Sequence, residues 1–327
     1  MTESASEPQL AARLLQQALD AGRRGDWLGA AAGLREAWRA DPQQHVAAQG
    51  LLECAARLVI AGRQAPRQEP DGERAAGRIS VIVCSIEPAR LARLRRDLER
   101  ELAGEDWELV HIADARSLNE GYARGLARAR GELIVLCHDD IGLFTRRFAT
   151  TLRRHLAGQD LIGVAGCDRL DGPKWFWSGP PHTYSWVGQP QGQGWLLGLL
   201  GSRGPLIAGA QGLDGVFLAA RRGALEQLGF DAETFDGFHF YDLDLSWRAH
   251  RTGLRCAVAL DLLLWHASGG NFAASWEGYA RRFLAKFPEL APRREAPAYR
   301  PGTLLLADER LAEPIHDWIG HWLAAPG

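Results

Sequence analysis

The chain is 327 residues long, enough for one large domain with a smaller one beside it. Apolar residues make up 46% and charged ones 24%, which excludes a disordered or fibrous chain. A formal net charge of -2, with no basic block beyond pairs such as Arg95-Arg96, argues against nucleic acid as a partner.

No apolar run reaches the roughly 18 to 20 residues of a membrane helix. The polar start MTESASEPQL lacks the charged-then-apolar order of a secretory leader. The five cysteines form no CxxC pair and sit mostly in apolar runs, as buried thiols do in a reducing compartment. The expectation is a cytoplasmic protein without a membrane span.

Residues 1–62 read as helical. The spacing Leu14, Ala18, Ala21, Gly25-Asp26-Trp27, Ala30, Leu34, Ala37, Asp41-Pro42 resembles one tetratricopeptide repeat, with small residues where two antiparallel helices approach and a turn at Gly25-Asp26. His45 to Ile60 supplies one more helix, and an Ala-rich capping hairpin is the plainer alternative. One repeat cannot bury its own face, so it must pack on the larger domain, on a sister chain or on a protein partner.

Residues 63–78, rich in Pro, Gln, Glu and Arg, read as a linker. A regular alternation then begins: strand Ile79–Ile86, helix Pro88–Leu102, strand Trp107–Ile112, helix Ser117–Arg130, strand Glu132–His138, helix Thr145–Leu156 and an apolar run Leu161–Cys167. Such an α/β order predicts a mostly parallel sheet covered by helices on both faces, over a domain of residues 79–290. Residues 171–212 show no sustained period and read as a long binding loop. The tail, 291–327, carries a short amphipathic helix at Ile315–Leu323 that docks back.

Ligands of open parallel sheets sit beyond the carboxyl ends of the strands. The first strand runs into Cys84-Ser85-Ile86-Glu87-Pro88 rather than GxGxxG, and no GxxxxGK[ST], HExxH or GxSxG occurs. Three segments remain. ELIVLCHDDI (132–141) ends a buried strand in acids, with His138 and Asp140 on one side and Asp139 on the other if the chain stays extended. A strand terminator and cap is the alternative. FDGFHFYDLDLSWRAHRTG (235–253) starts a helix with Asp242 and Asp244 about 200° apart, so one acid at most faces a site. LLLWHASGG (262–270) places His266 at the end of another buried strand, where a lone histidine is more often a satisfied structural residue than a ligand.

With SVIVCSIEPARL, SLNEGYARGLARARGELIVLCHDD and LDGVFLAARR in the same order, these segments resemble the family 2 glycosyltransferases of GT-A fold from roughly Arg78 to Phe287. The nearest likeness is a bacterial branch with His-x-Asp in place of DxD. The resemblance implies an inverting transfer of a sugar from a nucleotide-diphospho-sugar donor to a saccharide or protein hydroxyl, assisted by Mn2+ or Mg2+. It assigns His138, Asp140 and His266 to the metal, and Ser85, Asp114 and Asp139 to the donor. Asp214 falls near the acceptor, and Asp242 is the general base. Two departures stand out: Tyr241 where the family commonly has Glu, and Ala123 where Asn is usual.

Trp175, Trp177, Trp186 and Trp195 lie in the aperiodic stretch. Exposed indoles offer flat faces for sugar CH groups whereas buried ones plug a core, and Trp175 or Trp177 is assigned the acceptor-stacking role. A catalytically inactive scaffold that binds carbohydrate or a partner is the alternative to a working enzyme.

Overall fold

The computed structural model describes residues 7–42, 44–66, 73–145, 147–201, 204–268, 274–290 and 300–324. Residues 1–6, 67–72 of the expected linker, Gly269-Gly270 of the WHASGG segment and 291–299 of the tail lie outside the described residues.

Three helices come first: α1 (Glu7–Arg23), α2 (Trp27–Ala40) and α3 (His45–Ile60). Gly25, at φ +80°, makes the turn between the first two. Asp26 then caps α2 by accepting from Gly29 N at 2.9 Å. Ala18 and Ala30 are both buried. The tightest approach, however, is at Gly33, where a Cβ would lie 2.9 Å from that of Ala18.

The larger part continues with β1 (Ile79–Cys84), α4 (Pro88–Glu101), β2 (Trp107–Ile112), α5 (Leu118–Arg128), β3 (Leu133–Cys137), β4 (Ile141–Leu143) and α6 (Phe148–Gly158). Then come β5 (Leu161–Gly163), β6 (Ala165–Cys167), β7 (Thr183–Gln191), β8 (Gly194–Leu200), β9 (Leu206–Ala208), β10 (Gly212–Leu213), β11 (Phe217–Arg221) and α7 (Arg222–Leu228). It closes with α8 (Tyr241–Arg251), β12 (Cys256–Ala259), β13 (Leu264–His266), α9 (Ala274–Lys286), β14 (Gly302–Leu306) and α10 (Ala312–Ala324).

The main sheet has the order β2-β1-β3-β11-β5-β12-β9. Strands β2, β1 and β3 run parallel, while β11 enters antiparallel between β3 and β5. All five residues of β3 are buried, which is why LIVLC reads as an unbroken apolar run.

A second sheet, β10-β6-β7-β13-β4 with β8 on β7 and β14 on β8, was not anticipated. The run Leu161–Cys167 divides at Val164 between the two sheets, as β5 and β6. The expectation of an irregular loop over 171–212 is corrected, because β7 and β8 form a hairpin there around Gly192 at φ +60°. Its alternation is masked by glycines that serve packing. Gly188 lies under the Trp265 ring, where any Cβ would collide. Trp186 is a core residue at 1% exposure, and Trp195 packs on Trp265 at 4.9 Å between ring centroids.

The tail returns as β14 and α10, a strand and a longer helix than expected. Gly302 brings β14 against the α3 backbone at Ala48–Gln49, and Thr303 N donates to Gln49 Oε1 at 2.9 Å. Arg35 donates to Trp322 O at 3.3 Å and Trp318 to Arg63 O at 3.4 Å. The exposed face of the helical hairpin is thus buried on the chain's own C-terminal elements. No described helix is long and apolar enough to cross a membrane. All five cysteines are free thiols, four of them buried.

Candidate active site

Where β3 leaves the core, His138 N donates to Val216 O at 3.1 Å, which ties the strand end to the start of β11. Strand β13 pairs antiparallel with β4, and Ala267 N donates to Asp140 O at 2.9 Å. Two short strands therefore carry His138, Asp140 and His266 to one place. His266 Nε2 is 3.3 Å from Asp140 Oδ1 and 3.2 Å from His138 Nδ1, and the last two are 3.9 Å apart. Ser268 Oγ lies 3.1 Å from the same His266 nitrogen.

Burial would raise the Asp140 carboxyl, but the hydrogen bond from His266 and its charge outweigh it and hold the group well below the carboxylate range. Burial first, and His266 second, push His138 below the usual histidine value.

The three side chains offer donor atoms all within 4.8 Å of one another. Adjacent ligands around a cation with bonds of about 2.1 Å are separated by roughly 3.0 to 3.4 Å, close to two of the spacings here. Two imidazole nitrogens and a carboxylate oxygen suit a divalent ion, and three protein donors leave positions for substrate oxygens. The residues fit a metal.

Helix α8 approaches from the other side. Its N-cap, Phe240, stands at φ +66°, a left-handed conformation costing about 1 to 2 kcal/mol in a residue with a side chain. Packing of its buried ring on Trp276, at 5.2 Å, and on Phe283, at 5.3 Å, holds it there. The bend sets the direction in which Tyr241 and Asp242 leave the chain. Tyr241 Oη donates to Gly215 O at 2.8 Å and lies 2.8 Å from His138 Nε2. Gly215 permits this, since a Cβ there would collide with the phenol.

Asp242 Oδ2 accepts from Gly215 N at 2.8 Å and Oδ1 from Leu243 N at 2.9 Å. Burial, and then the charge of Asp214, push its carboxyl up to about 7. Asp214 is held by Val216 N and by Trp175 Nε1, each at 2.9 Å. Asp244, fully buried, pairs with Arg248 at 2.8 Å and Lys286 at 2.5 Å. One acid of this helix turn is neutralised by cations and the other is not.

On the β1 side, Ser85 Oγ donates to Asp139 Oδ2 at 2.6 Å, and Arg90 reaches Asp139 at 3.7 Å and Asp140 at 4.0 Å. Ser85, expected at the nucleotide, spends its proton on Asp139. Asp114 lies past β2 at 78% side-chain exposure, paired with Arg124 at 3.0 Å. Trp177 sits 5.2 Å from Lys174. Neither makes any of the contacts that join the other candidates.

Sequence reading missed the bond from Tyr241 to His138, the role of Gly215 and that of Ser268. The one available signal was Asp214-Gly215, an acid followed by the residue that admits a close approach.

A glycosyltransferase-like family model matches residues 80–287. A relative described as ATP synthase subunits region ORF 6, from Fuscovulum blasticum, is 27% identical over 223 residues, covering 63% of this chain and 84% of its own length. Among solved structures, the mannosyltransferase PcManGT from Pyrobaculum calidifontis, in complex with GDP-Man and Mn2+, aligns with 89% of this chain and 81% of its own at 14% identity and a TM-score of 0.42. GalNAc-T7 with UDP, GalNAc and Mn2+ aligns with 65% of this chain and 50% of its own at 10% identity and a TM-score of 0.40.

Proposed function

The chain belongs to the glycosyltransferase-like family, and from that premise we propose that it moves a sugar from a nucleotide-diphospho-sugar to a saccharide or protein hydroxyl with inversion at the anomeric carbon. The observation that carries the reading is the convergence of His138, Asp140 and His266 beside a helix start whose Asp242 has no cation partner among the described residues.

A divalent cation, Mn2+ or Mg2+, held by His138 Nδ1, Asp140 Oδ1 and His266 Nε2 would counter the negative charge that develops on the departing diphosphate. Asp242 takes the proton of the attacking hydroxyl, and two backbone N–H bonds hold its carboxylate in place. Being pushed up to about 7, it is a stronger base than an ordinary aspartate while remaining largely ionised in mildly alkaline solution. Asp214 orients the acceptor, with Trp175 tied to its carboxylate and offering an indole face to the sugar. Trp177, beside Lys174, is assigned to the same acceptor. Asp139, fixed by Ser85, contacts the donor ribose, and Asp114 reaches it from the rim. Direct displacement needs no covalent enzyme intermediate. Free, buried thiols agree with a cytoplasmic setting.

Nucleotide-sugar turnover tests the reading. With UDP-, GDP-, dTDP- and CMP-sugars and Mn2+, the wild-type protein is expected to release nucleotide, while Asp140→Ala and Asp242→Asn fall to background. Turnover indifferent to both changes refutes the site. A wild type that shows neither turnover nor nucleotide binding supports a scaffold, the reading that Tyr241 in the place of Glu favours.

A further inference from the structure

We propose that Tyr241 is a positioning residue for the metal: its phenol fixes His138 in the tautomer whose Nδ1 carries the free lone pair, aimed into the ligand cluster. A phenol has one proton. Gly215 O can only accept, and it lies 2.8 Å from Tyr241 Oη, so the proton is spent there. The same Oη stands 2.8 Å from His138 Nε2 and can offer that nitrogen nothing but a lone pair. Nε2 therefore carries the ring proton. Nδ1 is then the unprotonated nitrogen, and it is the one 3.2 Å from His266 Nε2.

The lock is rigid. Tyr241 is 3% exposed and its ring packs on Tyr122 at 5.6 Å between centroids. Gly215 ties both functions together, because its carbonyl orders the phenol while its N–H holds Asp242. Ligating histidines need an outer partner on the second nitrogen to fix ring and tautomer. That partner is most often a carboxylate, a carbonyl or water, and here it is a phenol, which adds no charge to the site.

The inference rests on the metal reading above, and its test separates the two. Long-range 15N–1H NMR of the metal-free wild-type protein, with the His138 signals identified by their loss in His138→Gln, is expected to show His138 protonated on Nε2. Mn2+ titration followed by EPR, without donor, is expected to give Tyr241→Phe an affinity weaker by about 10- to 100-fold. His138→Gln combined with Tyr241→Phe should bind no more weakly than His138→Gln alone. A merely structural tyrosine would instead weaken both backgrounds equally. A ring proton on Nδ1 in the wild type, or an unchanged Mn2+ affinity in Tyr241→Phe, overturns the positioning role alone. Failure of the wild type to bind Mn2+ overturns the metal reading and the proposal with it. If Tyr241→Phe does not fold, the wild-type tautomer decides.

Discussion

The two edges of the main sheet treat their charges in opposite ways. At the edge where β3 and β5 begin, acids and guanidiniums are bound to one another or to the backbone. Asp160 binds the Arg255 guanidinium at 2.9 Å, Glu132 accepts from Arg78 N at 2.7 Å, and Arg222 donates to the carbonyls of Gly131 and Ala129. That edge also holds an open cavity of about 510 Å³ lined by Asp160, Arg221 and Arg222, so a hollow alone does not mark the chemistry. At the opposite edge, acids and imidazoles crowd one another with Arg90 3.7 Å from Asp139, and among the described residues Asp242 is bound only through backbone N–H groups, with Asp214 adding a like charge. Guanidinium and backbone groups meet the charge at the first edge, whereas Asp214 and Asp242 face each other at the second, the kind of arrangement found where enzymes bind ions and substrates.

Within one turn of α8, the two acids should respond in opposite ways to removal. Asp242→Asn is expected to cut turnover by about 100- to 10,000-fold, the usual worth of a general base, while leaving a cooperative thermal transition. Asp244→Ala should do the reverse. It leaves a buried void, Lys286 with Asp231 as its remaining acid and Arg248 with the carbonyls of Leu228 and Gly229, and costs about 1 to 3 kcal/mol of stability, with turnover per folded molecule preserved. Denaturant unfolding and steady-state rates on both variants check the pair. Equal effects on rate and stability in the two would show that Asp242 and Asp244 serve the same purpose.

Next in size is Gly215→Ala. Its methyl would displace the Tyr241 phenol, with an overpacking cost of about 1 to 3 kcal/mol and a weaker Mn2+ site. Wild-type Mn2+ affinity in this variant would show that the close approach is dispensable.

A pH series sharpens the same contrast. Asp242 must be ionised to accept a proton, so kcat/KM should fall tenfold per pH unit below about 7 and level off above it. The stability term has the opposite sense. A carboxyl raised on folding favours the folded state at low pH, and that contribution is lost as pH rises through about 7. In EDTA, Asp242→Asn should therefore melt higher than the wild type at pH 8, with the difference shrinking toward pH 5.

Much of the fold was legible because β1, β3, α4 and α5 are local patterns: a buried, mostly apolar run of five or six residues, then a 3.6-residue stripe, with Pro88 and Ser117 marking helix starts. The second sheet was not legible. Its strands owe their pairing to partners far along the chain, β7 to β13 and β8 to β14, and its glycines answer to Trp265 and Leu306 rather than to neighbours in sequence. At the site, His138, Asp140 and His266 were nameable from strand ends and motif order. That Asp244 is neutralised follows from Lys286, 42 residues away. The bond from Tyr241 to His138 spans 103 residues. Local periodicity carries no record of either.

The smallest expected effect concerns Asp139 and Asp114, the two acids proposed to meet the donor. Asp139 is locked by the Ser85 hydroxyl at 2.6 Å, so it would meet a ribose in one orientation, and Asp139→Ala should raise the donor KM while leaving Ser85 Oγ only its bonds with the Glu87 backbone. Asp114, at 78% exposure and paired only with a surface Arg124 at 3.0 Å, pays side-chain entropy to reach any ligand. Asp114→Ala is therefore expected to change stability by less than about 0.5 kcal/mol and to raise the donor KM less than Asp139→Ala does, with kcat unaltered. Donor KM values for the two variants, measured side by side, rank them. A larger KM effect at Asp114 would move the nucleotide outward along β2, away from the Ser85–Asp139 lock.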